Sequence, residues 1–155
     1  MSVESMDRSI VVRPLQAADR AAWAEQWQAY LAFYATELAP AQYHLTWQRL
    51  QDPAVPLWAL GAFEGERMLG LVHYLYHPSA WTEGPYCYLQ DLFVEPATRG
   101  QGVGRQLIET VLQVAREAGA DRVYWLTQHD NHPARLLYDR MADLSGFIQY
   151  RKLLR

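Results

Sequence analysis

Cysteine and net charge are both scarce in this chain of 155 residues, which holds a single cysteine, Cys87. One cysteine rules out an internal disulfide and any thiolate-rich zinc site. Cys87 lies in the apolar stretch Tyr86-Cys87-Tyr88-Leu89, a setting that suits a small buried core residue better than a reactive thiol. A net charge of −3 gives no argument for nucleic acid, which calls for a basic surface. No apolar run reaches the length of a membrane-spanning helix. The start, Met1-Ser2-Val3-Glu4-Ser5-Met6-Asp7-Arg8, lacks the basic head and apolar core of a signal peptide. A cytoplasmic protein without membrane or nucleic-acid partners is therefore expected. His129 and His132 have no third partner at a metal-ligand spacing, so no metal is expected.

Apolar residues make up 50% of the chain and charged ones 20%, the balance of a globular protein, and the length suits one domain over residues 1–155. Six tryptophans and ten tyrosines are many for this size and are candidates for core, pocket lining or a dimer interface. Ile10 to Pro14 reads as a short strand. Asp19 is a candidate cap for a helix from Arg20 to about Leu38, and a second helix is expected over Gln42 to Leu50. Strands at Leu57–Phe63 and Met68–Tyr76 flank Glu64-Gly65-Glu66-Arg67, a hairpin signal. A third, aromatic strand runs from Tyr86 to Val94 and stops before Pro96. From Gly102 to Ala118 the period becomes helical, with Gly119 as the terminating glycine. A strand over Arg122–Thr127, a helix over Pro133–Ala142 and a closing strand over Gly146–Leu153 complete the order. The expected fold is a mixed α/β domain whose one βαβ crossover makes two strands parallel.

The sharpest chemical feature is Arg99-Gly100-Gln101-Gly102-Val103-Gly104-Arg105, set between a strand and an amphipathic helix. Alternating glycines let the backbone approach a ligand closely. The helix start adds unpaired N–H groups and the positive dipole end, so the loop suits a phosphate or pyrophosphate. Arg99 and Arg105 are placed to add charge-assisted bonds. A Walker A loop is excluded because Gly104-Arg105-Gln106 lacks the Lys-Ser/Thr ending. A dinucleotide fingerprint is excluded because Arg105 stands where the third glycine belongs.

Arg99, Gly102 and Gly104, preceded by Asp91-Leu92-Phe93-Val94-Glu95-Pro96, form a motif that resembles the pyrophosphate loop of the GCN5-related N-acetyltransferases. The likeness runs from about Leu89 to Tyr138. It implies that family's fold: a mostly antiparallel sheet with a parallel crossover and helices on both faces. It also implies acetyl-coenzyme A as cosubstrate, its pyrophosphate held by the amides from Gly100 to Arg105 and its pantetheine arm paired with Leu92, Phe93 and Val94. Asn131-His132-Pro133-Ala134-Arg135-Leu136-Leu137-Tyr138 is similar to the family's asparagine, small residue and tyrosine. Asn131 and Tyr138 are two helical turns apart. By resemblance Asn131, Ala134 and Arg140 contact the cofactor, and Tyr138 protonates the departing thiolate.

For the amine acceptor the residues leave several readings open. Polyamine-acetylating relatives carry an acid beside the aspartate of this strand, where this chain has Gln90. Asp91 is a candidate to receive the amine's proton through water, or else a buried structural residue. Glu37, His44, His73 and Glu83 are further candidates. Tyr30, Phe33 and Tyr34 fall on the first helix, which in the family borders the acceptor pocket, and Trp125 faces either cleft or core. The expected activity is transfer of acetyl from acetyl-coenzyme A to a small amine, polyamine or lysine-type acceptor in a ternary complex. A non-catalytic sensor of the cofactor is the alternative. The final segment, Phe147 to Leu154, resembles the last strand of diamine and histone acetyltransferase-like members and is expected to pair across a homodimer.

Overall fold

The computed structural model describes residues 9–155. Met1–Arg8, where no signal segment is expected, lie outside the described residues. The chain divides into two compact units, one ending at Trp125 and the other Leu126–Arg155.

The first unit is built on a five-stranded sheet in the order β1 (Val11–Pro14), β2 (Trp58–Glu64), β3 (Arg67–His77), β4 (Tyr86–Val94) and β5 (Arg122–Tyr124). Neighbours are antiparallel except β4 and β5, which are parallel. The expected hairpin forms with Glu64 opposite Arg67. Between β1 and β2 lie α1 (Arg20–Phe33) and α2 (Pro40–Gln51), and α3 (Val103–Glu117) carries the β4–β5 crossover.

Side-chain alternation along β3 assigns the two faces. Leu71 joins Trp23, Trp27, Leu31, Trp47, Phe63, Met68 and Phe93 in one buried cluster under α1 and α2. Gly70, next along the strand, faces α3: a Cβ there would lie 2.7 Å from the Phe93 carbonyl and 3.2 Å from Leu107 and Val103 side chains. The strand therefore needs glycine where α3 crosses it. Val103, Leu107, Ile108, Val111 and Ala115 bury the stripe of α3 read from its period. Gly119 ends that helix in a Schellman pattern, with Ala120 N–H on Ala115 O and Gly119 N–H on Arg116 O, each 3.0 Å. Helices thus cover both faces of the sheet.

Several boundaries differ from expectation. Asp19 stands at the start of α1 but makes no capping bond into that helix. Its carboxylate accepts from Arg13 at 2.8 Å and from the Gln16 amide at 2.6 Å, tying β1 to the helix entry. The helix stops at Phe33 instead of Leu38 because Ala35 turns to φ 52°. β5 ends at Tyr124, three residues before Thr127, which leaves Trp125 just past the strand.

The second unit holds α4 (His132–Met141), close to its expected span. The closing strand over Gly146–Leu153 does not form: residues 142–155 contain no strand. Phe147, Ile148, Tyr150, Leu153 and Leu154 are at least 73% exposed. A strand is held by its neighbour's backbone and by burial of one face, and this segment has neither. No helix among the described residues is long and apolar enough to cross a membrane.

Candidate active site

β4 leads through a 3-10 turn (Pro96–Thr98) into the glycine loop. Gly100 and Gly102 take φ of 87° and 80°, the left-handed region that only glycine enters cheaply. Gly102 is the N-cap of α3 and offers no side chain to its free amides. The first helical bond there is Gln106 N–H to Gly102 O at 3.0 Å, so the amides of Val103, Gly104 and Arg105 have no acceptor within the helix. A Cβ added at Gly100 or Gly102 would meet nothing within 4 Å, so the space beside the loop backbone there is open. That is the shape and polarity a pyrophosphate fits. Gly104 already belongs to the first helical turn and takes no positive φ. Gln101 is exposed, with its amide on Thr98 O at 3.3 Å. Arg99 is exposed and in no ion pair among the described residues. Arg105 meets Glu109 one turn along at 3.4 Å, a weak exposed contact that a phosphate displaces at little cost.

Parallel pairing of β4 with β5 stops at Tyr88 opposite Tyr124. β3 still pairs the other side as far as Val94. The backbone of Leu92, Phe93 and Val94 is therefore free of strand partners on the β5 side, while the Phe93 side chain is buried. An extended amide chain such as pantetheine fits an edge of this kind.

The same strand carries a bulge. Leu89 pairs with Tyr74 and Asp91 with His73, so Gln90 is left over, exposed and without a β3 partner. A one-residue bulge resets alternation. Burial raises the Tyr88 phenol, and the charge of Asp91, three residues along, raises it further.

Asp91 is the centre of a buried polar chain. Trp23 Nε1–H donates to His73 Nε2 at 3.1 Å, His73 Nδ1 meets Asp91 Oδ2 at 3.0 Å, and Tyr30 O–H donates to Asp91 Oδ1 at 2.8 Å. Trp27 stacks on Tyr30 with centroids 5.1 Å apart, and Tyr34 lies 5.1 Å beyond it. Burial pushes the Tyr30 phenol far above its ordinary range, reinforced by the Asp91 charge, so Tyr30 acts as a hydrogen-bond donor. Tyr34 shifts the same way, mainly through burial.

Asp91, Tyr30, Tyr34 and His73, all candidates from the sequence, lie together here, and Trp23, which was not among the candidates, bonds to His73. The signal for Trp23 in the sequence is its place on the aromatic stripe Trp23, Trp27, Tyr30, Tyr34 of α1. Glu37, His44 and Glu83 are exposed, and His44 is bonded to Arg20 at 3.0 Å. Phe33 is 60% exposed. Trp125 is half-buried. Cys87 is fully buried, and burial raises its thiol to about 11.

Within the second unit, Asn131 occupies the N-cap of α4. Its side chain makes no cap bond and reaches back instead to Thr127 Oγ1 at 3.5 Å. Pro133 sits in the first turn, as expected. Ala134 and Tyr138 are half-buried and Arg140 is exposed. Among the described residues no group of three His, Cys, Asp or Glu side chains has metal-binding geometry.

A glycine loop at a helix start, beside a strand with one open edge, suits a ligand that carries both a pyrophosphate and an extended amide chain. Residues 20–142 match the sequence model of the acetyltransferase (GNAT) family, and the chain belongs to that family. It is an acetyl-coenzyme A-dependent N-acetyltransferase. It is 39% identical over 145 residues to the D-amino-acid N-acetyltransferase HPA3 of Saccharomyces cerevisiae, covering 92% of this chain and 90% of that one. It is 35% identical over 78 residues to the thialysine N-epsilon-acetyltransferase of Caenorhabditis elegans, half of this chain and 48% of that one. Among solved structures, AAC(6')-Iy in complex with the bisubstrate analog CoA-S-monomethyl-acetylneamine superposes with a TM-score of 0.79 at 17% identity, covering 94% of this chain and 99% of that chain. At that identity the likeness speaks for the fold.

Proposed function

We propose that the chain works as one cytoplasmic acetyltransferase domain that acetylates a small primary amine by direct attack on acetyl-coenzyme A in a ternary complex. The observation that carries this reading is Asp91: a carboxylate held by two donors beside Tyr30, Tyr34 and Tyr88, on the strand that runs into the glycine loop. A carboxylate beside aromatic faces suits an ammonium or amine N–H and offers little to an uncharged acceptor. Gln90, at the bulge, and Trp125 contact the rest of the acceptor. The name of the yeast relative makes α-amines of D-amino acids the first acceptors to test, ahead of thialysine, polyamines and protein lysines.

The amides from Gly100 to Arg105 hold the pyrophosphate with Arg99, while Leu92–Val94, Asn131, Ala134 and Arg140 hold the remainder of the cosubstrate. Tyr138 gives a proton to the leaving thiolate. A phenol near pKa 10 donates to a thiolate whose acid lies near 8.5 only with modest help from its surroundings. Burial of Cys87, with its thiol raised to about 11, favours direct transfer over an acetyl-cysteine intermediate. The exposed apolar residues from Phe147 to Leu154 support a homodimer. The test is thiol release from acetyl-coenzyme A with D-alanine, D-phenylalanine, thialysine, spermidine and a lysine peptide. Release with a small amine is expected. Release with the lysine peptide alone overturns the small-amine reading.

A further inference from the structure

An indole nitrogen only donates, so Trp23 has one effect on His73: Nε2 must present its lone pair. The single ring hydrogen then sits on Nδ1 and is donated to Asp91 Oδ2. Trp23 is fully buried and His73 is 2% exposed, so water offers neither an alternative partner. A second hydrogen on Nε2 would face the Trp23 N–H head-on. Of Trp23, His73 and Asp91, the Asp91 side chain keeps the most exposure, 11% against 3% for that of His73, and the half-buried Tyr30 flanks it. Each of its oxygens accepts one bond from within, from Tyr30 or from His73, and keeps further acceptor capacity.

We infer that Trp23 and His73 are positioning residues that lock Asp91 as a fixed hydrogen-bond acceptor for the N–H groups of the acceptor amine, with His73 held as a neutral donor that takes no proton itself. This rests on the reading of Asp91 as part of the acceptor site. It assigns His73 the opposite of a general base's role. The amine's surplus proton leaves by way of Asp91 or solvent, and His73 keeps one hydrogen throughout. The carboxylate is thereby prevented from rotating while the amine is aligned with the thioester.

Two measurements test the inference, the first requiring no activity. In ¹⁵N-histidine-labelled protein, the resonances lost in His73→Asn report the wild-type tautomer. Hydrogen on Nδ1 is expected, and hydrogen on Nε2 overturns the lock even if acetyl transfer is confirmed. The second is steady-state kinetics with the fastest acceptor among D-alanine, D-phenylalanine, thialysine and spermidine. His73→Leu is expected to raise the acceptor KM about tenfold and leave the KM for acetyl-coenzyme A unchanged. His73→Asn, whose amide nitrogen lies where Nδ1 does, is expected to recover most of that loss. Trp23→Phe, which keeps an aromatic ring in the core, serves if His73→Leu does not fold and is expected to raise the same KM. An unchanged acceptor KM in these variants overturns the positioning role while leaving the proposed function standing. Failure of the wild type with every acceptor counts against the proposed function, and the tautomer still decides the lock.

Discussion

Tyr138→Phe removes one oxygen from α4 and keeps the ring. If the phenol supplies the proton for the leaving thiolate, kcat should fall by about 10²-fold at neutral pH with little change in KM for acetyl-coenzyme A. An unchanged kcat removes Tyr138 from that role. Asp19 offers a test of a different kind. The hydrogen bond from Arg13 holds its carboxyl below the usual carboxylate range, helped by the Gln16 amide. A depressed folded-state pKa stabilises the protein above the unfolded value and is lost as pH falls through the folded one. Asp19→Asn should therefore cost about 1 kcal/mol or less near pH 6, measured by chemical denaturation, and progressively less as pH falls through the lowered folded-state pKa. At this scale the sequence was readable where a residue type has one use, as in the paired glycines Gly100 and Gly102. The contact of His73 with Trp23, 50 residues away, and with Asp91, 18 away, was not, because no local period carries it.

Elements were legible in proportion to how completely their own residues determine them. β4 has the span expected, since a run rich in aromatic and apolar residues ends at a proline region that cannot extend the ladder. α3 was equally plain, because its apolar stripe and both end glycines agree. α1 was overrun because residues 34–38 contain no helix breaker, and Ala35 adopts its left-handed turn without a glycine to announce it. The bulge at Gln90 is a property of two strands in register and leaves no mark on one of them. The start of α3 provides the element-scale test. Gly102→Glu adds a side chain and negative charge where φ is 80° and the space is open, so acetyl-coenzyme A binding should disappear in calorimetry. The left-handed backbone costs a non-glycine residue only about 1–2 kcal/mol, so the fold should survive. Retained affinity would remove the loop from the cosubstrate site.

For the whole molecule, the open question is what covers the terminal segment. Phe147, Ile148, Tyr150, Leu153 and Leu154 are all at least 73% exposed, more apolar surface in a short stretch than a lone chain usually presents. In a homodimer, deleting residues 146–155 should shift sedimentation from dimer to monomer. A wild-type monomer at micromolar concentration would count against pairing through this segment. The failure to read its state from sequence has a physical cause: strand-forming residues state a preference, and a partner decides whether it is used.

The half-paired β4 has a consequence for how the protein is handled. Beyond Tyr88 its backbone toward β5 is a ladder with one rail missing, and unpaired ladders recruit other chains. A cosubstrate that occupies that edge acts as a conformational chaperone as well as a reactant. By mass action, coenzyme A at a hundred times its Kd adds about 2.7 kcal/mol to the folded state. The protein should therefore melt higher and precipitate more slowly with coenzyme A than without it, before any acceptor is added.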